Sequence, residues 1–281
     1  MALVTVYLPT RNRAHFLRPA VESALGQTHR DLELIIVDDA SEDGTADLLG
    51  ALSAADSRLR VITFTRRSGP SAARNAAIRE ARGEFVTGLD DDDRMLPDRV
   101  TTLLAAFKPE YAFVCSAFLL RSKAGSTRVL NGKRALLRAT DLLYFNGVGN
   151  QVLVPTERVR KLGGFDETMS GFEDYDLWLR LALAFGSGLR IADATYIKQD
   201  HRTGDQLTYA SSFSEGAKAF RAKHAGAFTP SQWRSQLIID RMICGQPIPF
   251  TDAVRAMAYP SSGIIARYLA ARALKRVGFG L

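Results

Sequence analysis

Over its first 110 residues the chain alternates short apolar runs with helix-like stretches, and that rhythm restricts the folds open to it. Strand-like Leu3 to Leu8, Leu32 to Val37, Leu59 to Phe64 and Glu84 to Leu89 are separated by helix-like Ala14 to Leu25, Thr45 to Leu52 and Ser71 to Ala81. Such alternation predicts βαβ units and an α/β fold with a doubly wound, mostly parallel sheet. From Tyr111 to Pro155 the pattern is less regular, with strand-like Ala112 to Leu120 and a turn near Ala124 to Thr127. A helical segment, Asp174 to Ala184, follows Gly163, Gly164 and Gly171. Beyond residue 210 the chain reads as helices alone, broken by Pro230, Pro247, Pro249 and Pro260. The expected organisation is a domain of residues 1–210, divided into 1–110 and 111–210, and a helical C-terminal extension, 211–281.

At 281 residues, 46% hydrophobic and 24% charged, the chain can bury a full core. No apolar stretch approaches the roughly 20 residues that span a bilayer, and the N-terminus lacks a basic region followed by a cleavage site. A cytoplasmic location is expected. Cys115 and Cys244 stand far apart and in no metal-binding spacing, so reduced core thiols are expected. The net charge of +7 is uneven: residues 221–281 hold nine Lys or Arg against Asp240 and Asp252, a surplus of seven that leaves the first 220 residues neutral. In the tail, Ile264, Ile265, Tyr268, Leu269, Leu274 and Val277 recur near helical spacing among Arg267, Arg272, Lys275 and Arg276. That composition suits a helix lying on an anionic membrane face; it equally suits a stripe packed on the protein. Nucleic-acid binding is not expected, because charge alone gives nonspecific affinity and no reader motif accompanies it.

The densest chemical feature is Asp90, Asp91, Asp92 and Asp93, placed directly after the apolar run Glu84 to Leu89. Like charges this close repel unless a cation sits among them, which points to a hard divalent metal; the plain alternative is a solvated acidic turn. Ligands of open α/β sheets gather at the carboxyl ends of strands, where these aspartates are expected. Pro97 fits the first turn of a helix, Pro97 to Phe107. A second strand ends in Asp38 and Asp39, followed by Ser41, Asp43 and Gly44. This imitates the start of a calcium loop, but Gly50 stands where a bidentate Glu is needed and a strand precedes it, so calcium is rejected. Asp39 can instead accept hydrogen bonds from a base or ribose, while Asp39, Ser41 or Asp43 can cap a helix. Neither a Walker A loop nor a G-x-G-x-x-G fingerprint is present, so bound phosphates would need a metal or a guanidinium such as Arg74, although a residue of that type is commonly a surface one.

Six segments share one order and spacing with a known family. They are Pro9-Thr10-Arg11-Asn12-Arg13, Val37-Asp38-Asp39-Ala40-Ser41 with Asp43-Gly44-Thr45, Gly69 to Asn75, Leu89 to Pro97, Gly163-Gly164-Phe165-Asp166-Glu167, and Phe172 to Arg180. Over roughly residues 3–200 the chain resembles family-2 inverting glycosyltransferases, bacterial polysaccharide enzymes with the Rossmann-like GT-A fold. The resemblance implies that Pro9, Thr10, Arg11 and Asp39 frame a nucleotide base, Asp39 facing uracil, with Arg74 near base, ribose or diphosphate. It makes residues 1–110 the nucleotide-binding half and 111–210 the acceptor-binding half. In the D-x-D pattern Asp92 becomes the direct ligand of Mg²⁺ or Mn²⁺ and Asp90 lies near the ribose and the metal's waters. Asp91 fills the variable place, its charge surplus to the motif, and Asp93 matches a further acidic place. Asp174 corresponds to the general base that takes a proton from an acceptor hydroxyl. Glu173 would orient the acceptor or tune that base, unless it is simply a helix N-terminal acid. His201 stands where relatives often have a loop histidine near the metal or diphosphate. Asp176 and Arg180, at i and i+4, are expected as a helix-surface ion pair, and Trp178 as core or as a platform for a sugar ring. The implied reaction transfers a sugar from a nucleotide diphosphate, a UDP-sugar by expectation, to a glycan or lipid-linked acceptor. Rival readings are a catalytically silent nucleotide- or carbohydrate-binding module and a sugar-phosphate nucleotidyltransferase.

Overall fold

The structure, a computed structural model, describes residues 2–122, 124–149, 151–199, 206–263, 265, 266 and 269. His201 and most of the basic stripe that starts at Ile264 lie outside the described residues. Two compact units are present: Met1–Arg138 with Val148–Glu167 and Asp176–His201, and Ala139–Gly147 with Thr168–Tyr175 and Arg202–Leu281.

The first unit is built on one sheet. Its strands are β1 (Val4–Thr10), β2 (Leu32–Asp38), β3 (Leu59–Thr63), β4 (Phe85–Gly88), β5 (Arg94–Met95), β6 (Val114–Arg121), β7 (Thr127–Leu130), β8 (Ala135–Leu137), β9 (Leu153–Pro155) and β10 (Gly188–Gln199). They run in the order β3-β2-β1-β4-β9-β6-β10-β5, with β7 on β6 and β8 on β10. Pairing is parallel across β3-β2-β1-β4 and between β6 and β10. The β9, β5, β7 and β8 pairs are antiparallel, so the parallel character foreseen from the alternation belongs to the first half and the second half is mixed.

Helices α1 (Ala14–Leu25), α2 (Thr45–Ala55), α3 (Pro70–Glu80), α4 (Arg99–Ala106), α6 (Thr156–Lys161) and α7 (Glu173–Phe185) cross between strands, with α5 (Ala139–Leu142) in the second unit. Every residue of β2 is buried, as a parallel strand covered on both faces requires. α1 turns Leu17, Ala20, Val21 and Ala24 inward at helical spacing. α3 packs against β1 and β2 through Ala72, Ala73, Ala76 and Ala77, whose small side chains let the helix approach closely. It opens at Gly69, whose φ of 92° suits glycine, and Pro70 occupies the first turn, where no N–H partner is needed.

α4 begins at Arg99, two residues later than expected from Pro97. Arg94 and Met95 pair with β10, and Leu96 N donates to Thr195 O at 2.9 Å, so the chain stays extended up to the proline. β10 itself was not legible: its register against β6 slips twice, between Ile191 and Ala194 and between Ala194 and Tyr196, which breaks the alternation of side chains.

The second unit contains α8 (Gln206–Lys223), α9 (Pro230–Ile243) and α10 (Phe250–Ala256). Tyr175 stacks on Phe220 at 4.3 Å, and Gln236 Nε2 donates to Tyr175 Oη and Leu143 O, both at 2.9 Å. Pro230 is a start signal as well as a break: it stands at the first position of α9 behind Thr229, which with Gln232 forms a capping box. A Cβ at Gly216 would lie 2.7 Å from the Gly171 backbone, so glycine lets α8 rest against that segment.

Candidate functional site

The carboxyl ends of β1, β2 and β4 open onto a cavity of about 430 Å³ in the first unit. β1 and β4 lie side by side through Tyr7 and Gly88, which brings Thr10 to the acidic turn that follows. Thr10 Oγ1 donates to Asp91 Oδ2 at 2.8 Å. From the end of β2, Asp39 N donates to Thr10 O at 2.9 Å, and the Asp39 carboxylate accepts from Ser68 N at 2.6 Å and Gly69 N at 2.9 Å. Asp39 therefore shapes the loop before α3 as well as lining the cavity, each oxygen keeping a lone pair. None of Asp39, Ser41 and Asp43 is a helix cap: Gly44 is the N-cap of α2, without a side-chain cap bond, and Asp43 just before it accepts from Thr45 N at 2.9 Å and from Ala14 N at 3.3 Å, its bond to the Thr45 hydroxyl pulling its pKa down.

Arg74 is 8% exposed, buried where a surface residue was the plain expectation. Its Nη2 lies 3.2 Å from Asp90 Oδ1 and its guanidinium 5.4 Å from the centre of the Phe165 ring. Arg13 bridges the other side of the turn, 3.9 Å from Asp91 and 3.5 Å from Asp92. Asp91, in the variable place of the motif, is 9% exposed and ties the turn to Thr10. Burial raises its pKa to about 6 against the Thr10 bond, and burial raises that of Asp93 to about 8, with Asp90 adding repulsion. Asp93 Oδ1 accepts from Gln199 N at 2.9 Å, joining the turn to β10.

Pro9, Thr10, Arg11, Asp39, Arg74 and Asp90 to Asp93 thus line one cavity, although β1, β2, α3 and the acidic turn are widely separated in sequence. Arg67, Lys198 and Gln199 join them without having been singled out. Arg11 Nε is buried with no hydrogen-bond partner among the described residues. The cavity therefore offers guanidinium and ammonium groups for phosphate beside carboxylates for a cation.

Among the described residues no three or more His, Cys, Asp or Glu side chains form a ready metal cage. Mg²⁺ is ordinarily held by one or two carboxylates together with substrate phosphates. Asp92, with a side chain 17% exposed at the cavity, and Asp90, 32% exposed, form a hard-oxygen donor set that fits that mode.

Glu173 and Asp174 are the first two residues of α7, and Asp174 Oδ1 accepts from Tyr175 N at 2.6 Å. Further along the helix the surface expectation fails. The Asp176 side chain is fully buried, and Arg180 donates to it at 2.7 Å, to Leu162 O at 2.9 Å and to Gly164 O at 2.7 Å. The pair clamps the glycine turn instead of decorating a helix. Trp178 is 1% exposed and packs edge-on to Phe165 at 6.1 Å, so it is core.

Comparison with known proteins shows the family and the fold. The family model for Glycosyl transferase family 2 matches residues 5–166. The chain is 30% identical over 251 residues to WcaA of Escherichia coli, a glycosyl transferase assigned to colanic acid biosynthesis, covering 84% of this chain and 86% of that one. It is 33% identical over 183 residues to chondroitin synthase of Escherichia coli, covering 64% of this chain and only 26% of that protein. Among solved structures it resembles the mannosyltransferase PcManGT of Pyrobaculum calidifontis in complex with GDP-Man and Mn²⁺, with TM-score 0.65, 21% identity and coverage of 100% and 76%. It also resembles TarS of S. aureus in complex with UDP, with TM-score 0.62, 17% identity and coverage of 95% and 87%. The chain belongs to glycosyl transferase family 2 and is a glycosyltransferase with the GT-A fold.

Proposed function

We propose that this glycosyltransferase moves a sugar, with inversion, from a UDP-sugar to a hydroxyl of a glycan or lipid-linked acceptor in cell-surface polysaccharide synthesis. One observation carries the reading: Thr10, Arg11, Asp39, Arg74 and the Asp90 to Asp93 turn line one cavity at the carboxyl ends of three parallel-sheet strands. The relatives' names support its class, since WcaA is assigned to colanic acid biosynthesis, the second relative is a chondroitin synthase, and PcManGT is a mannosyltransferase in complex with GDP-Man and Mn²⁺.

In this reading Pro9, Thr10, Arg11 and Asp39 hold the base, and Arg74 and Asp90 hold the ribose and diphosphate. Asp92 holds Mg²⁺ or Mn²⁺. Such a cation supplies positive charge to the diphosphate as it leaves. Asp174 takes the proton of the acceptor hydroxyl as that oxygen attacks the anomeric carbon, and Glu173 orients the acceptor.

A nucleotide-sugar panel assayed with and without EDTA tests this. A UDP-sugar consumed with release of UDP, in an EDTA-sensitive way, is the expected result. Release of pyrophosphate would identify a nucleotidyltransferase, and binding without turnover a silent module.

We also propose a peripheral membrane contact through the C-terminal helices. On α9 and α10 Trp233, Leu237, Phe250 and Val254 are exposed, Phe250 by 83%, while the nearby acids are engaged: Asp240 with Arg221 at 3.1 Å and Asp252 with Arg234 at 3.7 Å. Apolar exposure with surplus positive charge is the pattern of an interfacial surface.

A further inference from the structure

We infer that Gln151 is a positioning residue for Asp90, an assignment that rests on the donor-site reading above. Gln151 lies just before β9 and is 4% exposed. Its Oε1 accepts from Tyr7 Oη at 3.1 Å, and its Nε2 lies 3.3 Å from Asp90 Oδ1 and 3.5 Å from Asp90 Oδ2. The orientation of the amide follows from its neighbours. Turned over, it would set a carbonyl oxygen against the Asp90 carboxylate, two acceptors face to face.

A buried layer holds Gln151 in turn. Arg99, fully buried, donates through Nη2 to Gln151 O at 2.7 Å. Its Nη1 donates to Ser116 Oγ at 3.0 Å and Thr195 Oγ1 at 3.1 Å, and its guanidinium lies 4.8 Å from the Tyr196 ring centre. Arg99 has no ion-pair partner among the described residues, and burying an unpaired charge is expensive. Tyr196 completes the layer by accepting from Asp90 N at 3.3 Å.

Gly88 leaves room for the contact. A Cβ there would lie 2.3 Å from Gln151 Oε1 and 2.6 Å from Tyr7 Cε2. With Arg74 on one carboxylate oxygen and Gln151 across both, Asp90 presents its charge to the cavity in one orientation instead of swinging toward Arg13. None of this is visible in the sequence, because Tyr7, Asp90, Arg99, Gln151 and Tyr196 belong to five separate segments.

The test measures UDP binding by calorimetry in Mn²⁺ buffer, alongside the melting temperature of each nucleotide-free protein. Losing the amide in Gln151→Met should weaken UDP binding about tenfold, the scale of one hydrogen bond to a charged group. Gln151→Glu should be weaker still, because it sets carboxylate against carboxylate. Tyr7→Phe should weaken binding by a smaller factor, and combined with Gln151→Met should add nothing, since the hydroxyl acts through the amide. A role in packing alone predicts a lower melting temperature with unchanged UDP affinity, and that result, or additive effects of the two substitutions, overturns the assignment. If Gln151→Met does not fold, Tyr7→Phe and Gln151→Glu decide it by the same measure. Failure of the unsubstituted protein to bind UDP or GDP would overturn the donor-site reading itself, and this assignment with it.

Discussion

Substituting Gly164 by alanine tests how the glycine turn is held. Gly164 has φ of 75°, a left-handed conformation that costs alanine about 1–2 kcal/mol. The new Cβ would lie 2.3 Å from Asn75 Oδ1 and 3.0 Å from its Cγ, so Asn75 must swing away. Asn75 accepts from Phe165 N and donates to Phe165 O and Glu167 Oε1, each at 2.8 Å. Phe165 is 2% exposed, so its freed N–H and C=O find no water, at about 1–3 kcal/mol each. The sum is about 3–8 kcal/mol against a typical stability of about 5–15, equivalent to a fall of roughly 10 °C or more in melting temperature. Urea and thermal unfolding followed by circular dichroism measure it. Asn75→Ala removes the atoms that clash, so in the double variant alanine at 164 should cost only its backbone strain. The two substitutions together should therefore be milder than their sum by about 2 kcal/mol or more. A cost below about 1 kcal/mol for Gly164→Ala, or strict additivity, would refute the reasoning.

Further outcomes are expected. Asp174→Asn should keep UDP affinity within a few fold while lowering transfer by roughly 10²-fold or more, and normal turnover would move the base to another residue. Asp92→Ala should abolish metal-dependent transfer with little loss of melting temperature, whereas Asp91→Ala, which severs the 2.8 Å tie to Thr10, should lower the melting temperature; the reverse ranking would show that the register across the aspartates is wrong. Flotation with anionic liposomes should retain the unsubstituted chain and lose the double variant Trp233→Glu with Phe250→Glu, and equal binding by both would dispose of the membrane contact through α9 and α10. Iodoacetamide should spare Cys115 in the native protein, since burial raises its thiol pKa to about 12, and rapid labelling there by mass spectrometry would contradict its placement.

Much of the first half of the sheet was legible because its signals are local. The helix Ala14 to Leu25 carries its inward face in its own spacing, and its observed bounds coincide with those read from the pattern. β2 carries the apolar run Leu34 to Val37 because helices cover both sides of it, and the acidic turn follows β4 after Leu89. The second half of the sheet was less legible. β5 has only two residues, and β10 changes register twice, so neither presents a periodic pattern.

By itself, the sequence determined the βαβ order, the clustering of four carboxylates behind a strand and the membership of a family, since each is written in short local segments and their order along the chain. Tertiary structure decided which polar residues are buried and what they hold. Asp176 and Arg180 form a clamp on residues 162 and 164, and each Asp39 oxygen accepts one bond from the Ser68 or Gly69 backbone. Gln151 and Arg99 stand behind Asp90, and Gln236 supports Tyr175. It also joined Ala139–Gly147 and Thr168–Tyr175 to the C-terminal helices in one unit, where the chain order suggested a simple division near residue 210. The physical reason is the same in each case. Periodicity reports which face of an element avoids water, but a polar side chain's partner is set by long-range packing, and no local pattern encodes that.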